Sequence, residues 1–194
     1  MKKFAIILVI IGLVLAAWFY AREKSEPAGP APINNLMLLT SPAFKNGEYI
    51  PKKFSCEGEG INPELQIQNV PAGAKSLALI VHDPDAPVTG GFTHWLLWNI
   101  DPKTTLVKEE SVPPGLSAGA SAKAGSIEGK NGSGKNSYAA PCPPSGHGVH
   151  HYHFKLYALD SMLKLSNDAG KAELEAEIGK HLIAETELVG LYKR

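Results

Sequence analysis

Three short stretches of this chain carry side chains that could do anion or acid–base chemistry together. They are Asp83 with Asp85, then His94, then the run from Tyr138 to Tyr157, which holds four of the seven histidines. A carboxylate beside an imidazole fixes its tautomer and favours the cation, and an imidazolium can receive an anion. If an imidazolium does the binding, affinity falls as pH rises through its pKa. Each residue also has a plainer use. Asp83 precedes Pro84 and suits a turn, and a histidine at a strand entrance is commonly a packed core residue. A second chemistry is open to His151 and His153, whose i, i+2 spacing on a strand can seat a first-row metal; Asp83, His94 and His150 form another possible set. Against a metal-dependent hydrolase, Lys155 shares the face of His151 and His153, and no HExxH pattern occurs. Cys56 and Cys142 are the only cysteines. They either form a disulfide or stand as thiols, and Cys142 is then a conceivable nucleophile inside the histidine-rich run.

These groups need rigid elements to hold them. Pro141, Pro143 and Pro144 stiffen the first half of Tyr138–Tyr157, because each fixes its own φ and restricts the residue before it. The second half reads as a strand. His150, Tyr152, Phe154, Leu156 and Ala158 share one face, and His151, His153, Lys155 and Tyr157 the other. His150 therefore faces inward, where an unpartnered polar ring is costly.

Earlier in the chain, Leu36 to Thr40 reads as a short strand, Tyr49 to Phe54 as an edge strand demoted by Pro51, and Leu65 to Gln68 as a strand with one wet face. Ser76–His82 and Thr93–Ile100 are apolar on both parities, so both should be central strands covered on both faces. Residues 101–137 lose regularity and read as a long loop. Asp168 to Ala184 turns helical with Leu174, Ile178, Leu182 and His181 as a stripe and Asn167 or Asp168 as cap, and Thr186 to Tyr192 closes the chain as a strand. The fold class is mostly β, an antiparallel sandwich with one C-terminal helix. The 19 glycines and 15 prolines, clustered between short apolar runs, agree with it.

Lys2 and Lys3 precede an uncharged apolar run from Phe4 to Tyr20. Residues 1–20 read as a cleaved secretory signal or a retained membrane anchor, 21–35 as an extended linker, and 36–194 as the folded domain. Either reading exports the domain from the cytoplasm. Formal net charge is zero and no basic run occurs, which excludes a nucleic-acid footprint.

Asp83-Pro84-Asp85-Ala86-Pro87, then Thr93-His94-Trp95, then Pro143-Pro144-Ser145-Gly146-His147-Gly148-Val149-His150-His151-Tyr152 resembles the phosphatidylethanolamine-binding protein family, and within it the bacterial and archaeal Raf kinase inhibitor-like branch. The likeness runs from about Leu36 to Arg194. It implies a β-sandwich with a small pocket for phosphate-like anions and phospholipid head groups, without catalysis, cofactor or metal. By motif position, the implied ligand-binding residues are Asp83, Ala86, Phe92, His94, Tyr138, Cys142, Pro144, His150 and Tyr152. His94 and His150 would donate, Asp83 would orient them, and backbone N–H groups of the loop would complete the cradle. Ala139-Ala140 stands where the family often has glycine, and the added methyl would narrow the mouth. The kinase-inhibitor label belongs to animal relatives. A protein-interaction role, with Gly115 to Lys135 as contact surface, is the remaining alternative.

Overall fold

The computed structural model describes residues 36–109 and 126–194, and Leu36–Arg194 form a compact unit. The expected signal or anchor and the linker after it lie outside the described residues, within which no helix is long and apolar enough to cross a membrane. In chain order the strands are β1 (Leu38–Thr40), β2 (Glu48–Tyr49), β3 (Leu65–Gln68), β4 (Ser76–Asp83), β5 (Phe92–Ile100), β6 (Leu106–Val107), β7 (Ile127–Glu128), β8 (His150–Leu159) and β9 (Leu182–Tyr192), with helix α1 (Lys171–His181) between β8 and β9.

Among the described residues they form two sheets: β1-β3-β6, and a larger one in the order β2-β9-β8-β4-β5-β7. Pairing is antiparallel except at one edge. There β2 runs parallel to β9, setting Glu48 against Gly190 and Tyr49 against Leu191. This departs from a purely antiparallel sandwich. The expected strand Tyr49–Phe54 also stops early, because Pro51 has no N–H for the ladder and Lys52–Phe54 closes as a 3₁₀ turn. Within the stretch expected to be loop, β6 and β7 add two-residue strands. Two residues are too few for any periodicity to register.

Both central strands are buried on both faces, as their sequence pattern requires. Leu77, Leu79 and Val81 pack with Trp95, Phe154 and Leu156 between the sheets. Ala78, Ile80, Leu96 and Trp98 face the other way, against Leu174 and Ile178 of α1. That helix also covers Tyr157, on the face of β8 opposite Phe154. Of the expected helical stripe, Leu174 and Ile178 are buried, whereas His181 pairs with Asp160 and Leu182 already belongs to β9 and is exposed. The cap is Gly170 rather than Asn167 or Asp168, and its N–H donates to Glu173 at 3.2 Å.

The parallel edge packs tightly. A Cβ on Gly190 would meet Ile50 Cγ1 at 2.5 Å and Phe44 Cε2 at 2.7 Å, both core side chains. Gly190→Ala should therefore destabilise the domain by about 1–3 kcal/mol, the usual cost of overpacking. Urea unfolding checks this, and an unchanged midpoint would count against the packing described here.

Candidate functional site

The antiparallel order brings the three chemical stretches together. β4 lies between β5 and β8 and runs against both, so its last residue, Asp83, sits beside Phe92, the first residue of β5. His150 opens β8 on the same edge, and its Nδ1 lies 2.7 Å from Asp83 Oδ2. The return from β4 to β5 is tight. Gly91 has φ +75°, and a Cβ there would stand 2.4 Å from the carbonyl oxygen of Asp83, so only glycine fits without a backbone shift.

His94 reaches the site by a break in register. Val81 is opposite Trp95 but His82 is opposite Thr93, leaving His94 as the extra residue of a β-bulge. Strict alternation would have placed it with Leu96 and Trp98 on the helix side. The bulge turns it to the cavity instead, as bulges beside functional sites commonly do. The loop then fastens it. Ala139 N–H donates to the His94 carbonyl at 2.8 Å, and the His94 ring Nδ1 lies 2.7 Å from the Ala139 carbonyl oxygen.

These groups line a cavity of about 370 Å³ whose walls include Asp83, Ala86, Phe92, His94, Cys142, Pro144, His150 and Tyr152. Of the ligand-binding residues implied by the resemblance, Tyr138 alone is not a wall residue. Its ring packs edge-on to Trp95 at 5.6 Å. Pro87, Val88, Ser133, Ala139, Ala140 and Pro143 complete the lining, and no lysine or arginine is among these residues. Ala140 thus does stand in the wall, where its methyl was expected to matter. The His94 ring is held edge-on between Phe92 and Tyr152, at centroid distances of 4.8 and 5.0 Å.

Division of labour differs from the expectation that Asp83 orients both histidines. It holds His150 alone, and its other oxygen accepts from Asp85 N–H at 2.8 Å. His94 takes its orientation from a backbone carbonyl, which only accepts, so Nδ1 carries the proton of the neutral ring. Burial pushes the His94 pKa down to about 4, against the opposing pull of the Ala139 carbonyl and the Asp83 charge. The ring is therefore neutral at physiological pH, with Nε2 as a lone-pair acceptor. An imidazolium at His94 does not describe this site.

The phenols behave in the opposite sense. Burial raises the pKa of Tyr138, and burial with the charge and hydrogen-bonding pull of nearby Asp83 raises that of Tyr152. Both hydroxyls are buried; that of Tyr138 has no hydrogen-bond partner among the described residues, and that of Tyr152 has none in good geometry, its contact with Asp83 being a looser one. Each is an intact donor, which costs free energy unless a ligand or water meets it.

The expected cradle of loop amides is only partly available. Pro141, Pro143 and Pro144 have no N–H, and the amides of Ala139, Gly146 and His147 are taken by His94, Arg194 and Pro144 carbonyls. The prolines set the loop's shape rather than supply donors. His147 was passed over in the sequence, yet its Nδ1 lies 2.8 Å from His150 Nε2 and extends the Asp83–His150 chain to an exposed ring. Its place three residues before His150 was the available signal.

The His151 and His153 pair does not converge on one point. His151 pairs with Asp85 and His153 with Glu187, each at 2.7–2.8 Å, so those rings have separate carboxylates. Among the described residues no group of three or more His, Cys, Asp and Glu is placed to hold a metal ion. The nucleophile reading of Cys142 is overturned, since Cys142 is disulfide-bonded to Cys56. Of the Gly115–Lys135 loop, only residues from 126 onward are described.

Residues 40–193 match the family described as phosphatidylethanolamine-binding protein. The chain belongs to the phosphatidylethanolamine-binding protein family. A UPF0098 protein of Pyrococcus abyssi is 47% identical over 165 residues, covering 81% of this chain and 86% of that one. Among solved structures, a phosphatidylethanolamine-binding protein homologue from Chlamydia trachomatis superposes with a TM-score of 0.72 at 39% identity, over 82% of this chain and 99% of that one. Escherichia coli YbcL, a member of the same family, gives 0.74 at 30% identity, over 81% and 98% of the two chains. These neighbours place the protein in the bacterial and archaeal branch of the family.

Proposed function

We propose that this domain is a non-catalytic binding module for a small ligand bearing a phosphate-like oxyanion, such as inorganic phosphate or a phospholipid head group. One observation carries the reading: Asp83, His94, His150 and Tyr152 come from three strands to line one cavity, where the buried Tyr152 hydroxyl meets no partner in good hydrogen-bonding geometry among the described residues, with Asp83 its near neighbour. Buried polar groups left unpaired by the fold are what a ligand's own polar atoms can satisfy. Family membership supports a binding role in the same sense.

The domain works outside the cytoplasm, either held to the membrane by the apolar run at 4–20 or secreted after that run is cleaved. Besides that run, the Cys56–Cys142 bridge supports this placement, because structural disulfides persist mainly in oxidising compartments.

Calorimetric titration with inorganic phosphate and phosphorylethanolamine tests the binding reading. Wild type should bind at least one of them, and Tyr152→Phe, which removes only the donor, should weaken that binding about tenfold or more, as for loss of one hydrogen bond to a charged group. Absence of heat from both ligands at millimolar concentration would overturn the proposal.

A further inference from the structure

The site's polar inventory is unusual for an anion pocket. It contains a carboxylate, Asp83, and none of the wall residues is lysine or arginine. Arg194 donates instead to Pro143 O and Cys142 Sγ, at 3.5 and 3.4 Å. His94 has its only ring proton on Nδ1, committed at 2.7 Å to the carbonyl of Ala139, so Nε2 presents a lone pair. A fully ionised phosphate brings acceptors only. Beside His94 Nε2 and the Asp83 carboxylate it would set acceptor against acceptor and charge against like charge.

Building on the oxyanion reading above, we propose that this pocket selects an oxyanion that carries its own hydrogen: inorganic phosphate or a phosphomonoester in the monoprotonated form. Its P–OH donates to His94 Nε2, and another of its oxygens accepts from the Tyr152 hydroxyl. A phosphodiester has no P–OH and is disfavoured, even though it carries the same single negative charge. The ligand class is therefore a free phosphate or cleaved head group rather than an intact diester lipid.

Several groups face His94 from the elements packed around it. Asp83 stands at the end of β4, with His82 on the far side of the same strand. His150 and Tyr152 come from β8, and His147 is hydrogen-bonded behind His150. Tyr138 flanks Ala139 in the loop. The charge of Asp83 favours a second proton on His94, yet burial outweighs it, and the ring stays neutral until about pH 4. We therefore assign the proton that binding requires to the ligand, and the ¹⁵N spectrum of His94 in the complex checks that assignment.

The test compares phosphorylethanolamine with glycerophosphorylethanolamine, which keep the same amine and differ in the P–OH. Calorimetry is run from pH 5 to pH 8, spanning the second pKa of a phosphomonoester at about 6. The diester is a monoanion throughout, so its profile reports titration of the protein alone. At pH 5 the monoester should bind about tenfold tighter than the diester, the worth of one hydrogen bond to a charged group. That ratio should fall about tenfold as pH rises to 8.

³¹P NMR of the bound monoester gives a readout independent of affinity. Its resonance should stay at the monoanion position about one pH unit beyond the titration of the free ester. The inference is overturned by a diester that binds as tightly as the monoester at pH 5. It is equally overturned by a bound monoester that titrates at or below the free value, or by a ¹⁵N spectrum showing both His94 nitrogens protonated in the complex. Any of these leaves oxyanion binding itself standing. Failure of both ligands and of inorganic phosphate to bind rejects that reading, and this inference with it.

Discussion

Replacing Cys56 and Cys142 together by serine should lower the melting temperature by roughly 8–20 °C. The bridge joins residues 86 apart in sequence, so the unfolded chain loses the freedom of a long loop. In the chain-entropy account a loop of that size is worth about 4–5 kcal/mol, and a domain of this length moves about 2–4 °C per kcal/mol. Position matters too. Cys142 lies in the cavity wall, and Cys56 follows the 3₁₀ turn Lys52–Phe54, while Cys56 N–H donates to Pro141 O at 3.1 Å beside the bridge. Without the covalent tie, that single bond remains to hold the two segments at this point, and ligand affinity should weaken along with stability. Differential scanning calorimetry of the double variant, alongside wild type treated with a phosphine, separates the bridge from side effects of serine. A double variant melting within about 2 °C of wild type would show that the loop is held by other contacts.

The central strands and the histidine-bearing strand were legible because burial writes itself into alternation. Leu65–Gln68 alternates and has one wet face, while Ser76–Asp83 is apolar on both parities and is covered on both sides. The same rule alone would have misplaced His94. Counting by twos places His94 with Leu96 and Trp98, and only the bulge between Val81 and His82 turns it into the cavity. A one-residue irregularity leaves no mark in a hydrophobic pattern, so its position came from the resemblance and not from periodicity. The edge from Tyr49 to Phe54 failed for a related reason: β2 owes its two residues to a parallel partner far along the chain, Gly190 and Leu191, which no local signal announces.

Charge states were less legible still. From types alone, His94 and His150 are equivalent donors. The fold separates them by giving one a carboxylate and the other a carbonyl, at the same 2.7 Å. That difference is set by backbone placement of Ala139, a residue with no chemistry of its own to attract notice. The prolines of the loop were correctly read as stiffening, but stiffness and amide supply are opposed, since each proline removes a donor. The site obtains a donor instead from a phenol within a strand, Tyr152, whose parity with Phe154 and Leu156 did show in the sequence.

Asp83→Ala should be the most damaging single substitution in the site, destabilising the domain by about 3–5 kcal/mol and abolishing ligand binding. Asp83 and His150 are both buried and meet at 2.7 Å. Removing the carboxylate strands the His150 Nδ1–H and the Asp85 N–H without acceptors, and a buried donor left alone costs more than its hydrogen bond contributed. Asp83→Asn separates orientation from simple loss of contact. Its one amide oxygen can still accept from Asp85 N–H, but its NH₂ then faces His150 Nδ1. The ring can accept that hydrogen only by moving its own proton to Nε2, from which it would donate to His147 Nδ1. Asp83→Asn should therefore fold with a smaller penalty, about 1–2 kcal/mol, and carry His150 in the other tautomer. Urea denaturation gives the two penalties, and ¹⁵N spectra of the imidazoles give the tautomer. An Asp83→Ala protein as stable as wild type, or a His150 tautomer unmoved in Asp83→Asn, would mean that the Asp83–His150 contact does not organise this pocket.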